Sequence, residues 1–108
     1  MLKKTLIKGI AALSLSAVAA TAMANERIIS AGSAVTELIL ALEQQNQLVA
    51  VDVTSELPQD LELPKIGYHR RLSSEGLMAL NPTRLIGSDE MGPETSLSQL
   101  KTAGVEVD

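Results

Sequence analysis

Downstream of residue 25 the chain alternates short apolar runs with segments of helical period. Arg27–Ser30 (RIIS) predicts a strand, ended by Ala31-Gly32. Val35, Leu38, Ile39 and Leu42 then fall at i, i+3, i+4 and i+7, the spacing that lines one buried face of a helix. Ser33 is placed to cap that helix, and Glu37 and Glu43 point away from its face. After the polar turn Gln44–Gln47, Leu48–Val51 (LVAV) is apolar without a break, as suits a strand covered on both faces of a parallel sheet. Asp52–Gly67 holds Pro58 and Pro64 and no helical period, so it reads as a long irregular connection. Ser73–Leu80 predicts a short helix with Ser73 as cap and Glu75 in its first turn, where the positive helix end favours an acid. Asn81-Pro82 stops it, and Arg84–Gly87 (RLIG) predicts a third strand. Pro93 at a first helical position and Glu94 open a helix with Leu97 and Leu100 on one face, and Gly104 follows as its C-cap. Val105–Val107 begins a fourth strand.

The order β-α-β-loop-α-β-α-β predicts an α/β fold, a parallel sheet with right-handed crossovers. In open parallel sheets ligands sit beyond the carboxyl ends of the strands. Here those ends are Ala31–Ser33, Asp52–Ser55 and Ser88–Gly92, and the connection carrying Gly67–Arg71 can share their rim.

The first 24 residues break this alternation. Met1–Lys8 carries Lys3, Lys4 and Lys8 and no acid, residues 9–24 are uncharged, and Ala22-Met23-Ala24 has the small-x-small form of a cleavage site. That is the order of a secretory signal peptide, 1–24. The uncharged run of 16 residues is shorter than the ~20 that a spanning helix needs. No cysteine stands at the cleavage point to carry a lipid, so the expected product is a free periplasmic protein rather than a membrane-anchored one.

Composition narrows the function. Of 108 residues none is Cys, Trp or Phe, and Tyr68 is the single aromatic residue, which excludes disulfide frameworks, thiolate metal sites and cysteine nucleophiles. Without residues 1–24 the 84-residue remainder carries six basic residues against 13 acids, a net charge of −7. Nucleic-acid binders need a basic face or an aromatic platform, and this chain has neither. A chain of this size without disulfides is a marginal free-standing domain, so 25–108 is expected to be an unusually compact fold or part of something larger.

Catalytic signatures are missing as well. Ala31-Gly32-Ser33-Ala34 lacks the glycine spacing of a dinucleotide loop, and there is no P-loop, no G-x-S-x-G and no H-x-x-x-H. His69 is the single histidine, so a two-histidine metal site cannot form. Asp89-Glu90 reads as a solvated turn, and Ser88 as a turn residue. An enzyme using Asp89 or Glu90 would need a histidine or metal partner.

What remains is Gly67-Tyr68-His69-Arg70-Arg71-Leu72-Ser73, which gathers the aromatic, the histidine and two arginines. A tyrosine oxygen is an anionic ligand suited to ferric iron, as in tyrosine-bound haem. A neighbouring arginine favours that anionic oxygen, or pairs a carboxylate through two bonds. Residue types alone better suit a loop tyrosine packed on the domain with its arginines in water.

The stretches Arg27–Glu37 (RIISAGSAVTE), Leu48–Thr54 (LVAVDVT), Leu63–Leu80 (LPKIGYHRRLSSEGLMAL) and Asn81–Pro93 (NPTRLIGSDEMGP) carry a family likeness that continues through Gly104–Val107. The chain resembles the haem (haemin) substrate-binding proteins of bacterial ABC uptake systems, most specifically in G-Y-x-R-x-L-S-x-E-G. The looser L-x-x-L-N-P…L-I-G-S pattern is shared with cobalamin and siderophore binders. The resemblance implies two α/β lobes joined by a long helix, with haem b as the transported ligand, an inner-membrane ABC permease as partner, and no catalysis. It further implies that Tyr68 ligates haem iron, that Arg70 supports Tyr68 or meets a propionate, and that Glu75 is presented to the permease, where a helix-terminus role is the alternative. His69 and Arg71 receive no role from it. Since no connecting helix or second lobe follows, 25–108 is expected to be a truncated N-terminal lobe. A corrinoid or ferric-siderophore binder is the alternative of the same class.

Cleavage after Ala24 is expected to leave a mature N-terminus near Asn25. N-terminal sequencing of the periplasmic protein checks this, and a chain still starting at Met1 contradicts it.

Overall fold

A computed structural model describes residues 26–108, so the signal peptide expected at 1–24 lies outside the described residues. The elements are β1 (Ile28–Ala31), α1 (Ser33–Ala41), a 3-10 turn (Gln45–Gln47), β2 (Leu48–Val51), α2 (Ser74–Met78), β3 (Arg84–Gly87), α3 (Glu94–Thr102) and β4 (Glu106–Val107). Their order is the one the apolar pattern predicts.

The four strands form one parallel sheet in the order β2-β1-β3-β4. β1 pairs in continuous register with β3, from Ile28 opposite Arg84 to Ala31 opposite Gly87. Its pairing with β2 is irregular between Ile28 and Ile29. The chain steps one way from β1 to β2 and the other way from β2 through β3 to β4. Right-handed crossovers then place α1 on one face and α2 and α3 on the opposite face.

The packing agrees. Ile29, Ala31, Ala50 and Leu85 bury one face against Leu77 of α2 and Leu97 and Leu100 of α3. Ile28, Leu48 and Val51 bury the other against Ile39 of α1. With both faces covered, the strands are apolar runs rather than alternating ones. The order reversal makes the carboxyl ends of β1 and β3 the switch point, where a ligand crevice opens in such sheets. Gly87 ends β3 there, and a Cβ on it would stand 2.5 Å from Met91 Sδ and 3.0 Å from the Ala31 carbonyl oxygen.

Local signals fared unevenly. Ser73 caps α2, its hydroxyl accepting from the Gly76 N–H at 3.2 Å. Arg27 lies just before β1 and donates to the carbonyls of Leu80 and Asn81 at 2.8 and 2.9 Å, closing the C-terminal end of the α2 segment. β1 and β4 start one residue later than expected, at Ile28 and Glu106, and two helix starts shift as well. Gly32, not Ser33, occupies the N-cap of α1 and makes no side-chain cap bond, while Pro93 is the N-cap of α3 and Glu94 its first residue.

The larger correction concerns α1. Leu38 and Leu42, expected on the buried face, are 61% and 63% exposed, whereas Thr36 is fully buried beside Ile39. A hydroxyl takes the inward position because buried polar groups beneath the helix need its hydrogen bonds. The apolar period alone could not weigh that demand.

This difference is measurable. Leu100→Ala opens a cavity in the core and is expected to cost about 2–5 kcal/mol. Leu38→Ala is expected to cost less than about 0.5 kcal/mol. Urea denaturation of the two variants checks both, and equal losses would contradict the exposed placement of Leu38.

Candidate functional site

Three connections meet at the carboxyl rim of the sheet: the segment after β2, the segment 67–72, and the loop after β3. Backbone bonds tie the middle one to the other two. Val53 N–H donates to the Gly67 carbonyl at 2.9 Å, Gly92 N–H to the His69 carbonyl at 3.0 Å, and Leu72 N–H to the Gly92 carbonyl at 2.8 Å. Gly67 has φ +96°, which permits the turn that starts the segment. Leu72 is buried and anchors its far end in the core. Tyr68 stands between these anchors, 41% exposed.

Beneath this segment lies Asp52, the first residue after β2, with its carboxylate fully buried. Oδ1 accepts from Ser55 Oγ at 2.8 Å, and Oδ2 accepts from Thr54 Oγ1 at 2.7 Å and lies 2.9 Å from His69 Nδ1. An ionised carboxylate only accepts, so Nδ1 carries a proton and donates. The same constraint orients a buried hydroxyl chain inward. Ser30 of β1 donates to Thr36 of α1 over 2.7 Å, Thr36 donates to Ser55 over 2.7 Å, and Ser55 donates to Asp52.

Burial by itself would push the Asp52 carboxyl up, but the bonds from Thr54, His69 and Ser55 outweigh it and hold the group below the ordinary value of 3.8. Tyr68 and His69 form an edge-on pair, their ring centroids 4.6 Å apart and their planes inclined at 63°. On the solvent side Glu90 lies 3.6 Å from His69 Nε2 and pairs with Arg70 Nη2 at 2.8 Å.

The structure therefore brings Tyr68, His69 and Arg70 together, and adds Asp52 and Glu90. Arg70 is paired with Glu90; no hydrogen bond joins it to Tyr68 among the described residues. Glu75 is exposed in the first turn of α2, apart from this cluster, and Arg71 is exposed as well. Asp89 is exposed, while Glu90, read as a solvated turn residue, is exposed but pairs with Arg70 and lies 3.6 Å from the His69 imidazole.

The sequence signal for Asp52 is its place directly after a wholly apolar strand with Thr54 and Ser55 following, the pattern of a local side-chain turn. Glu90 leaves no such signal. Among the described residues no group of three His, Asp or Glu side chains forms a site for a bare metal ion. A groove of about 570 Å³ runs along Leu57, Leu61, Leu63 and Lys65, but the Lys65 ammonium there is already bonded to the Ser55 carbonyl at 2.9 Å.

Because the folded Asp52 group is more acidic than in the unfolded chain, its ionisation stabilises the fold above about pH 4 and that contribution is lost as pH falls through the folded value. Asp52→Asn leaves at least one donor without an acceptor, at an expected cost of about 1–3 kcal/mol near pH 7. Urea melts at several pH values check this: the gap between wild type and variant should narrow progressively below about pH 4.

Comparison with known proteins agrees with this architecture. Residues 28–107 match the periplasmic binding protein family. The Vitamin B12-binding protein of Vibrio cholerae is 32% identical over 83 residues, covering 76% of this chain and 30% of that protein. Its counterpart in Yersinia pestis is 30% identical over 98 residues, covering 90% and 35%. Among solved structures, the periplasmic heme-binding protein HutB of Vibrio cholerae superposes with a TM-score of 0.75 at 67% identity, covering 77% of this chain and 32% of that one. A periplasmic heme-binding protein from Pseudomonas aeruginosa gives 0.73 at 49% identity, covering 77% and 30%. The vitamin B12-binding protein BtuF of Vibrio cholerae gives 0.65 at 31% identity, covering 77% and 33%. The chain thus spans about a third of the length of these relatives. With a four-stranded parallel sheet of their fold and a family match across nearly all described residues, this chain belongs to the periplasmic binding protein family.

Proposed function

We propose that this lobe binds ferric haem outside the cytoplasm through Tyr68, and that the protein carrying it delivers haem to an inner-membrane ABC permease without chemical change to the ligand. The observation that carries this reading is the presentation of Tyr68. The side chain is 41% exposed at the carboxyl rim of the sheet, on a segment held by backbone bonds at both ends. A phenol in that position can offer its oxygen to iron while its ring stays braced. Arg70 lies two residues on, paired with a carboxylate on its solvent side, and can exchange that partner for a haem propionate or the phenolate oxygen. The identity to the structures named heme-binding, 67% and 49%, supports haem over other ligands. Glu75, exposed at the start of α2, is the residue proposed to face the permease. Residues 1–24 are proposed to be the cleaved leader that brings the chain to the periplasm.

A corrinoid is the second reading, favoured by curated relatives named Vitamin B12-binding at 30–33% identity. Tyr68 separates the two, since a corrinoid brings its own metal ligands and has no need of a protein phenolate.

Addition of haemin is expected to give a shifted Soret band with the charge-transfer features of a phenolate-ligated ferric haem. Tyr68→Ala is expected to abolish those features and weaken binding by about tenfold or more, a loss of at least ~1.4 kcal/mol. Competition by cyanocobalamin, or a ferric spectrum unchanged in Tyr68→Ala, would overturn the haem assignment.

A further inference from the structure

We propose that His69 is the positioning residue for Tyr68: its imidazole, anchored on Asp52 and flanked by Glu90, sets the direction in which the phenol ring projects from the carboxyl rim. The inference rests on the reading of Tyr68 as the ligand-bearing side chain and assigns a role to the neighbour for which the family resemblance supplies none.

The geometry has three parts. First, the imidazole is anchored from below. Its Nδ1 lies 2.9 Å from Asp52 Oδ2, and that carboxylate is itself fixed by Ser55 and Thr54 at 2.8 and 2.7 Å. The anchor extends through Thr36 to Ser30, so the imidazole is referenced to β1 and α1 and not to its own loop alone. Second, its outer edge is flanked. Glu90 Oε2 lies 3.6 Å from Nε2, beyond hydrogen-bond length, and the other oxygen of Glu90 takes Arg70 at 2.8 Å. With Nδ1 bonded to Asp52 and a side chain 12% exposed, His69 is turned toward the buried carboxylate rather than offered at the rim. Third, its ring stands edge-on to Tyr68 at 4.6 Å between centroids. Aromatic rings prefer this arrangement, and a fixed ring on one side limits the rotation of its partner. Backbone bonds at Gly67 and His69 hold the main chain around Tyr68, but they leave its side-chain torsions free. The imidazole supplies that missing restraint. Groups that orient a metal ligand without touching the metal act in this way.

The chain carries its own probe. Tyr68 is the single aromatic residue among 108, so the near-ultraviolet circular dichroism band near 275 nm reports the ordering of that one ring, with no haem required. His69→Asn keeps an N–H donor for Asp52 but removes the ring beside Tyr68. It is expected to retain most of the melting temperature, to flatten the Tyr68 band, and to weaken haemin binding by about tenfold or more. Glu90→Ala, at an exposed position, is expected to reduce the band without lowering the melting temperature, and it stands in should His69→Asn fold poorly. A Tyr68 band that stays at wild-type intensity in the folded variants overturns the proposal and leaves His69 a structural residue. If Tyr68→Ala leaves the ferric haem spectrum unchanged, the ligand reading falls instead, and the dichroism of the His69 and Glu90 variants still decides whether the ring is positioned.

Discussion

Asp52 is an ionised carboxylate with no access to water, and burying such a charge is costly unless donors surround it. Three side chains meet that demand here: Thr54, Ser55 and His69. Each comes with a consequence for the fold. Ser55 draws in Thr36 and Ser30, which turns α1 so that a hydroxyl rather than Leu38 faces the sheet. His69 draws in the segment 67–72, so a long connection without helical period acquires a fixed place over the carboxyl rim. The chain of hydroxyls, carboxylate and imidazole thus joins β1, α1, the end of β2 and the Tyr68 segment in one network.

The sheet order prepares the ground for this. Reversal between β1 and β3 opens the rim at the point where Ala31 and Gly87 lie side by side, and the small residues keep the strand ends close. Loops from both sides of the reversal converge there, and one of them presents the phenol. A rigid parallel sheet holds the loops, and the loops hold the chemistry, which is the usual division of labour in open α/β folds.

Relatives named for heme and for vitamin B12 share this scaffold, so the lobe as such does not select a ligand. Selection must lie in the rim residues, because fold and function separate at the level of the site. In this chain the features of the rim are a half-exposed tyrosine, a paired arginine and a histidine bonded to a buried carboxylate. The net negative charge of residues 25–108 does not oppose an anionic ligand locally, since Arg70 and Arg71 follow the tyrosine closely in the chain.

The sequence by itself determined the element order and the bounds of two strands. LVAV and RLIG are β2 and β3 to the residue, because polar and turn residues bound each run, Gln47 and Asp52 around the first and Pro82-Thr83 and Ser88 around the second. Ser73 and Glu75 were legible as the start of α2, because capping is a local bond between neighbours in the chain. Tyr68 and Arg70 stood out because the chain is so poor in aromatic and basic residues. The face of α1 and the roles of Asp52, His69 and Glu90 were decided only by tertiary structure. Asp52 and His69 are 17 residues apart in the chain, and Ser30, Thr36 and Ser55 converge from three separate elements. Periodicity registers which residues are apolar, but not which polar residues a buried charge will require, and that requirement exists only once the strands and loops have been brought together.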